Sequence, residues 1–88
     1  MVTIVVSRGW AQRGQATFEA EPGRLPELLK HLAETEPDYG RRILDDAGEP
    51  YGYLSIFVDS EHVPRGVRGG IEVADGSTVT IVPPLAGG

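Results

Sequence analysis

The residues of this chain best suited to chemistry are its last seven, Val82-Pro83-Pro84-Leu85-Ala86-Gly87-Gly88. The two prolines cannot donate to a sheet ladder, so a strand is expected to end at Val82. They also hold the backbone extended and lead it away from the folded body. Gly87 and Gly88 carry no side chain, so they can enter a narrow channel and let another backbone approach closely. Leu85 supplies one apolar anchor on the way. Fully extended, Pro83 to Gly88 reaches roughly 20 Å, at about 3.3–3.6 Å per residue. The group such a tail delivers is the α-carboxylate of Gly88. A carboxylate is a poor acyl donor until ATP adenylates it, and the mixed anhydride is then open to attack by sulfur or nitrogen. Attack by a persulfide leads to a thiocarboxylate at Gly88, itself a sulfur nucleophile. On this expectation the protein is a reagent consumed by other enzymes, and not a catalyst.

The remaining side chains offer little chemistry. There is no cysteine, which removes a disulfide framework, a thiolate metal site and a thiol nucleophile together. His31 and His62 sit in different elements, His31 beside Glu27 and Glu34 on the polar side of a helix and His62 in a turn. Both read as solvated histidines, because a metal site needs clustered partners. Asp45, Asp46 and Glu49 lack the ligand spacing of a calcium loop and read as a solvated acidic loop. The Arg65-to-Gly70 run "RGVRGG" follows no strand-to-helix phosphate-loop pattern, so it is a weak anion motif and reads as loop. Trp10 either caps the core or marks a contact. No Ser/His/Asp or Cys/His constellation can be assembled.

Length and composition bound the answer further. With 88 residues, 40% of them hydrophobic, the chain supports one small domain with a modest core. Thirteen acidic residues against eight basic ones give a net charge of −5, which repels a phosphate backbone and argues against nucleic acid as partner. The apolar run "MVTIVV" has no basic segment before it and no stretch approaches membrane-spanning length, so neither a signal peptide nor a membrane is expected, and the expected compartment is the cytoplasm.

The elements that must position the tail follow from the hydrophobic periodicity. "VTIVVS" reads as a strand with Val2, Ile4 and Val6 on one face and Thr3 and Val5 on the other. A polar loop, "RGWAQRGQ", and a second strand, "ATFEA", complete an opening hairpin. Leu25, Leu28, Leu29 and Leu32 then form one stripe of an amphipathic helix. Pro26 is tolerated in its first turn and Pro37 stops it. The "YGRRILDDAGEPYG" segment reads as a short turn or half-helix and a polar loop. "YLSIFVD" is a strand with Leu54, Ile56 and Val58 on one face and Tyr53, Ser55 and Phe57 on the other. Ile71 and Val73 make a short edge segment. Asp75-Gly76 is a tight turn into the final strand "TVTIV". An opening hairpin, one crossing helix and a last strand beside the first define an α+β fold, a mixed sheet with one main helix on one face. That is the β-grasp, or ubiquitin-like, architecture. The domain is expected over residues 1–82, with 83–88 as a flexible tail.

"DGSTVTIVPPLAGG", Asp75 to Gly88, resembles the C-terminal signature of the MoaD/ThiS family of ubiquitin-like sulfur carriers. It is especially similar to the ending of the small subunit of molybdopterin synthase, with Leu85 in place of the commoner valine. "YLSIFVDSEHV", after the longer "RRILDDAGEPYG" segment, is more similar to the actinobacterial carrier that supplies sulfur for cysteine synthesis. The resemblance implies that an E1-like adenylyltransferase/sulfurtransferase activates Gly88 with ATP and converts it to a thiocarboxylate, with no cofactor bound by the chain itself. It implies a sulfur-acceptor enzyme as second partner: a PLP-dependent enzyme like cysteine synthase, a thio-metabolite synthase, or the large subunit of molybdopterin synthase. It further implies partner docking by the outer face of the sheet near the tail. Carried onto this sequence, that surface is Val5, Phe57 and Val82 with Pro83, Pro84, Leu85 and Ala86. A one-residue slip would instead turn Phe57 into the core and Ile56 out.

Two other classes remain open on the sequence. A protein modifier conjugated through Gly88 shares the chemistry as far as the adenylate, although Lys30, the only lysine, leaves little scope for chains. A passive interaction module would keep its binding without Gly87 and Gly88.

Overall fold

The computed structural model describes residues 1–6 and 16–83. The readings made for Trp10 and for Pro84, Leu85, Ala86, Gly87 and Gly88 lie outside the described residues.

Strand β1 (Val2–Val6) pairs antiparallel with β2 (Ala16–Ala20), Ile4 facing Phe18. The next elements are β3 (Gly23–Arg24), helix α1 (Leu25–Thr35) and helix α2 (Pro37–Ile43). They lead into β4 (Ser55–Val58), β5 (Glu61–His62), a 3-10 helix (Arg65–Gly70), β6 (Glu72–Val73) and β7 (Thr78–Val82). The main sheet has the order β2-β1-β7-β4-β5, with β1 and β7 parallel at its centre and the other pairs antiparallel. A parallel pair cannot be joined by a hairpin. The long connection between β1 and β7 accordingly carries both α-helices, and α1 packs its leucines on the sheet. β3 and β6 form a separate two-stranded sheet.

Period-two alternation sends Val2, Ile4 and Val6 of β1, Ile56 of β4, and Val79 and Ile81 of β7 into the core. Leu25, Leu28, Leu29 and Leu32 of α1 meet them, joined by Ile43, Leu54, Val63 and Val73. Pro37, which stops α1, also begins α2, where its missing N–H would be unpaired in any case. The half-helix expected after it thus starts earlier than the sequence pattern indicated. Gly40 is required there: a Cβ on it would fall 2.7 Å from the Cβ of Ala33, so α2 lies backbone-close against α1.

Three expectations need correction. The strand expected over 53–59 is confined to Ser55–Val58. At its start Leu54 donates its N–H to Tyr51 in a turn, and its side chain is buried without ladder pairing. At its end Asp59 and Ser60 take positive φ, 50° and 71°, as a two-residue hairpin turn into β5 demands. His62 therefore belongs to β5 and not to a turn. The "RGVRGG" run is a 3-10 helix and not a loop, because Arg68 is drawn inward to bond the carbonyl oxygens of Tyr51 and Leu54.

Candidate functional site

The face of the sheet opposite α1 carries the surface predicted to bind partners. Across its middle runs one register row: Val5 of β1 faces Thr80 of β7, Thr80 faces Phe57 of β4, and Phe57 faces His62 of β5. Residues directly opposite in neighbouring strands sit within side-chain contact. Val82 lies two residues beyond Thr80 on the same face, opposite Ser55. Val5, Phe57, Thr80, Val82 and Pro83 are all half-buried. The three apolar residues named from the sequence are thus brought together around Thr80, and the patch reaches the point where β7 gives way to Pro83. Phe57 faces outward while Ile56 is 0% exposed, so the one-residue slip does not occur. The sheet's alternation decides this, since Ile56 opposes Ile81 in the core.

Two neighbours of the patch were not foreseen. His62 meets Phe57 edge to face, with ring centroids 5.5 Å apart at 64°. A two-residue turn at Asp59-Ser60 would have predicted that pairing, but nothing in those residue types marks a positive-φ turn as Asn-Gly does. Thr80 was seen only as a polar alternation partner. Around this centre the rim is polar, with Thr17 and Glu19 of β2 and His62 of β5 exposed.

The turn beside the patch is pinned electrostatically. The Asp59 carboxylate accepts the N–H of Thr78 at 2.9 Å, and the Asp59 N–H donates to the Thr78 carbonyl at 2.9 Å. The Thr78 N–H, and then Ser77, hold the Asp59 carboxyl below its ordinary value. The β4–β5 hairpin is thereby fastened to the start of β7, the strand that leads to the tail.

His31 is exposed on α1. The Asp45 carboxylate accepts the N–H groups of Ala47 and Glu49 at 2.9 and 3.0 Å, so it shapes its own loop. Among the described residues no group of three or more His, Asp or Glu side chains could hold a metal ion. Among them, too, no helix is long and apolar enough to cross a membrane.

A mixed sheet with its first and last strands parallel at the centre, and a helix laid across one face, is the ubiquitin-like β-grasp. The chain belongs to the ThiS family, whose family model matches residues 7–88. The family comprises small ubiquitin-like sulfur carriers and modifiers, proteins that are generally non-catalytic. Among solved structures, the chain is similar to CysO of Mycobacterium tuberculosis, with 24% identity, 97% of this chain and 100% of that one covered, and a TM-score of 0.77. It is equally similar to a chain of the Amycolatopsis orientalis BexX/CysO complex, with 23% identity, both chains fully covered (100% each) and a TM-score of 0.77. Small archaeal modifier protein 1 of Haloferax volcanii follows with 17% identity, coverage of 96% and 97%, and a TM-score of 0.73. At these identities the likenesses establish the fold. No curated protein matches the sequence.

Proposed function

We propose that this protein is a cytoplasmic sulfur carrier that delivers sulfur as a thiocarboxylate on Gly88. The observation that carries the proposal is the family match running through Gly88, with Pro-Pro-Leu-Ala-Gly-Gly placed directly after the central strand β7. The chemistry proceeds in three balanced steps. A Gly88 carboxylate oxygen attacks the α-phosphorus of ATP in the active site of an E1-like partner, and pyrophosphate leaves. A persulfide sulfur on that partner, or on a sulfurtransferase, attacks the acyl carbon of the adenylate and displaces AMP, forming an acyl disulfide. A thiol then attacks the sulfur of that disulfide attached to the enzyme, giving a new disulfide and releasing the Gly88 thiocarboxylate. The carrier contributes the acyl group and its presentation, and the partners contribute catalysis.

The outer-face patch serves this role as a docking surface. Val5, Phe57 and Val82 present apolar area around Thr80, with a polar rim, the usual anatomy of a recognition site. Its position beside Pro83 lets a partner grip the sheet while Pro84, Leu85, Ala86 and Gly87 thread Gly88 toward the reacting atoms. The acceptor is an enzyme that builds cysteine or another sulfur-containing metabolite, the reading favoured by the "YLSIFVDSEHV" segment. The molybdopterin branch is the alternative within the family. The complex of a CysO with BexX is a precedent for a carrier of this fold bound to a second protein.

Deletion of Gly87 and Gly88 tests the assignment. The truncated chain should keep its circular dichroism spectrum and melting temperature while losing ATP-dependent loading entirely. Loading that survives the deletion would refute it. Isopeptide conjugates of the intact chain in cell extract, with no thiocarboxylate found, would assign it instead as a modifier.

A further inference from the structure

On the helix side of the molecule, away from the outer-face patch, the first half of α1, the 45–50 loop and the 3-10 helix enclose a groove of about 490 Å³. Four of the chain's eight basic side chains line it, Arg24, Lys30, Arg65 and Arg68, against two acidic ones, Asp45 and Glu49. In a chain of net charge −5 this is a concentrated reversal of sign. Asp45 is already engaged with the backbone of its own loop, as described above.

Arg68 forms part of the lining and is only 6% exposed. One terminal nitrogen donates to the Tyr51 carbonyl at 3.3 Å and the other to the Leu54 carbonyl. Its Nε–H is buried and has no partner. Arginine bonded to neutral carbonyls, with no carboxylate and one unmet donor, is an uncompensated buried cation. Burial, and then the neighbouring Arg65, push its guanidinium below the ordinary value. Arg65 itself lies against the Gly52 backbone, where a Cβ would fall 2.6 Å from its guanidinium carbon. Among the described residues neither Arg65 nor Lys30 makes a hydrogen bond or ion pair. The first turn of α1 adds to this field. Its cap position is Arg24, with no side-chain cap, and its end of the helix dipole is positive. Arg24 donates instead to the Gly69 carbonyl at 2.8 Å, which ties the helix start to the 3-10 helix.

We propose that this groove binds a small oxyanion ligand of the phosphate or sulfate class, seated between the first turn of α1 and the 3-10 helix. The Leu25 N–H is taken by the Ile71 carbonyl at 2.9 Å and Pro26 has none, so from α1 the anion takes the Glu27 N–H, and it sets a negative charge against Arg65, Lys30 and the buried Arg68. This site is separate from the tail and its chemistry, and does not depend on the sulfur-carrier assignment.

The test titrates the full chain with inorganic phosphate and with sulfate, followed by two-dimensional amide NMR, with chloride at matched ionic strength as control. Saturable shifts are expected at Glu27, Gly48 and Gly69, with Phe57 and Thr80 on the opposite face unmoved. Arg65→Gln and Lys30→Gln alter exposed side chains and should leave the fold intact. Each should weaken binding about tenfold, the loss expected for one charge-assisted hydrogen bond. Shifts that merely follow ionic strength, or fail to saturate, would mean an adventitious ion only and would overturn the proposal. So would unchanged binding by both substituted chains.

Discussion

The orientation of β4 lends itself to a paired perturbation, Ile56→Ala against Phe57→Ala. Ile56 is 0% exposed and faces Ile81, so its truncation leaves a cavity between the central strands and α1. Such a change in a closed core costs about 3–4 kcal/mol. In a domain of this size each kcal/mol lowers the melting temperature by about 4–8 °C, so Ile56→Ala should lose about 12–32 °C. Phe57 is half-buried on the other face, and its ring packs edge-on against His62. Losing that contact costs about 1 kcal/mol, a drop of about 5 °C. The functional readout should invert. A side chain at the centre of a docking patch is worth about 2 kcal/mol or more in binding, so Phe57→Ala should load with sulfur at least tenfold less efficiently. Ile56→Ala, assayed below its melting point, should load nearly normally. Calorimetry and a loading assay with the activating enzyme read both effects. Equal destabilisation by the two substitutions would refute the assigned orientation of β4, and unimpaired loading of Phe57→Ala would refute the docking role of the patch.

Three further outcomes follow from the same structure. Gly40→Ala should destabilise the protein by about 1–3 kcal/mol in chemical denaturation, because its methyl group meets Ala33 backbone-close; an unchanged midpoint would contradict the tight α1–α2 contact. Thr80→Lys places a charge amid Val5, Phe57 and Val82, so partner binding should fall while the melting temperature shifts by only a few degrees; intact binding would move the interface elsewhere. Asp59 has its carboxyl held below the ordinary value in the folded state, so the stability it contributes is present above about pH 4 and is lost as pH falls through the lowered value. Denaturation curves of the unaltered chain and of Asp59→Asn, which tolerates the same positive φ, should therefore converge on acidification; a gap that stays constant to low pH would show that the carboxylate does not pin the hairpin.

The central architecture was legible because it rests on periodicity. Alternating Val2, Ile4, Val6 and Val79, Ile81, with the leucine stripe of α1 between them, leave few ways to bury every apolar residue. The same alternation placed Val5, Phe57 and Val82 on one outer face. Where conformation depended on single tertiary contacts, the sequence was silent. "RGVRGG" has the composition of a loop, and only the carbonyls of Tyr51 and Leu54, well upstream, turn it into a 3-10 helix around a buried Arg68. Asp59-Ser60 is an uncommon positive-φ pair, stabilised by the Thr78 N–H from a distant strand. The contact of His62 with Phe57 follows from that turn and was hidden with it. Of the groove of Arg24, Lys30, Arg65 and Arg68 only the weak anion motif of the "RGVRGG" run showed in the sequence, since its members are spread over some forty-five positions and meet only after α1 docks.

The most direct test of the sulfur-carrier assignment exploits the missing cysteines. The chain is produced together with its activating enzyme, ATP and a sulfur source, treated with iodoacetamide, and its C-terminal peptide is weighed by mass spectrometry. With no thiol in the sequence, carbamidomethylation mapped to Gly88 reports a thiocarboxylate, and this is the predicted result. A Gly88 that remains a plain, unalkylated carboxylate while the activating enzyme demonstrably turns over ATP would contradict it.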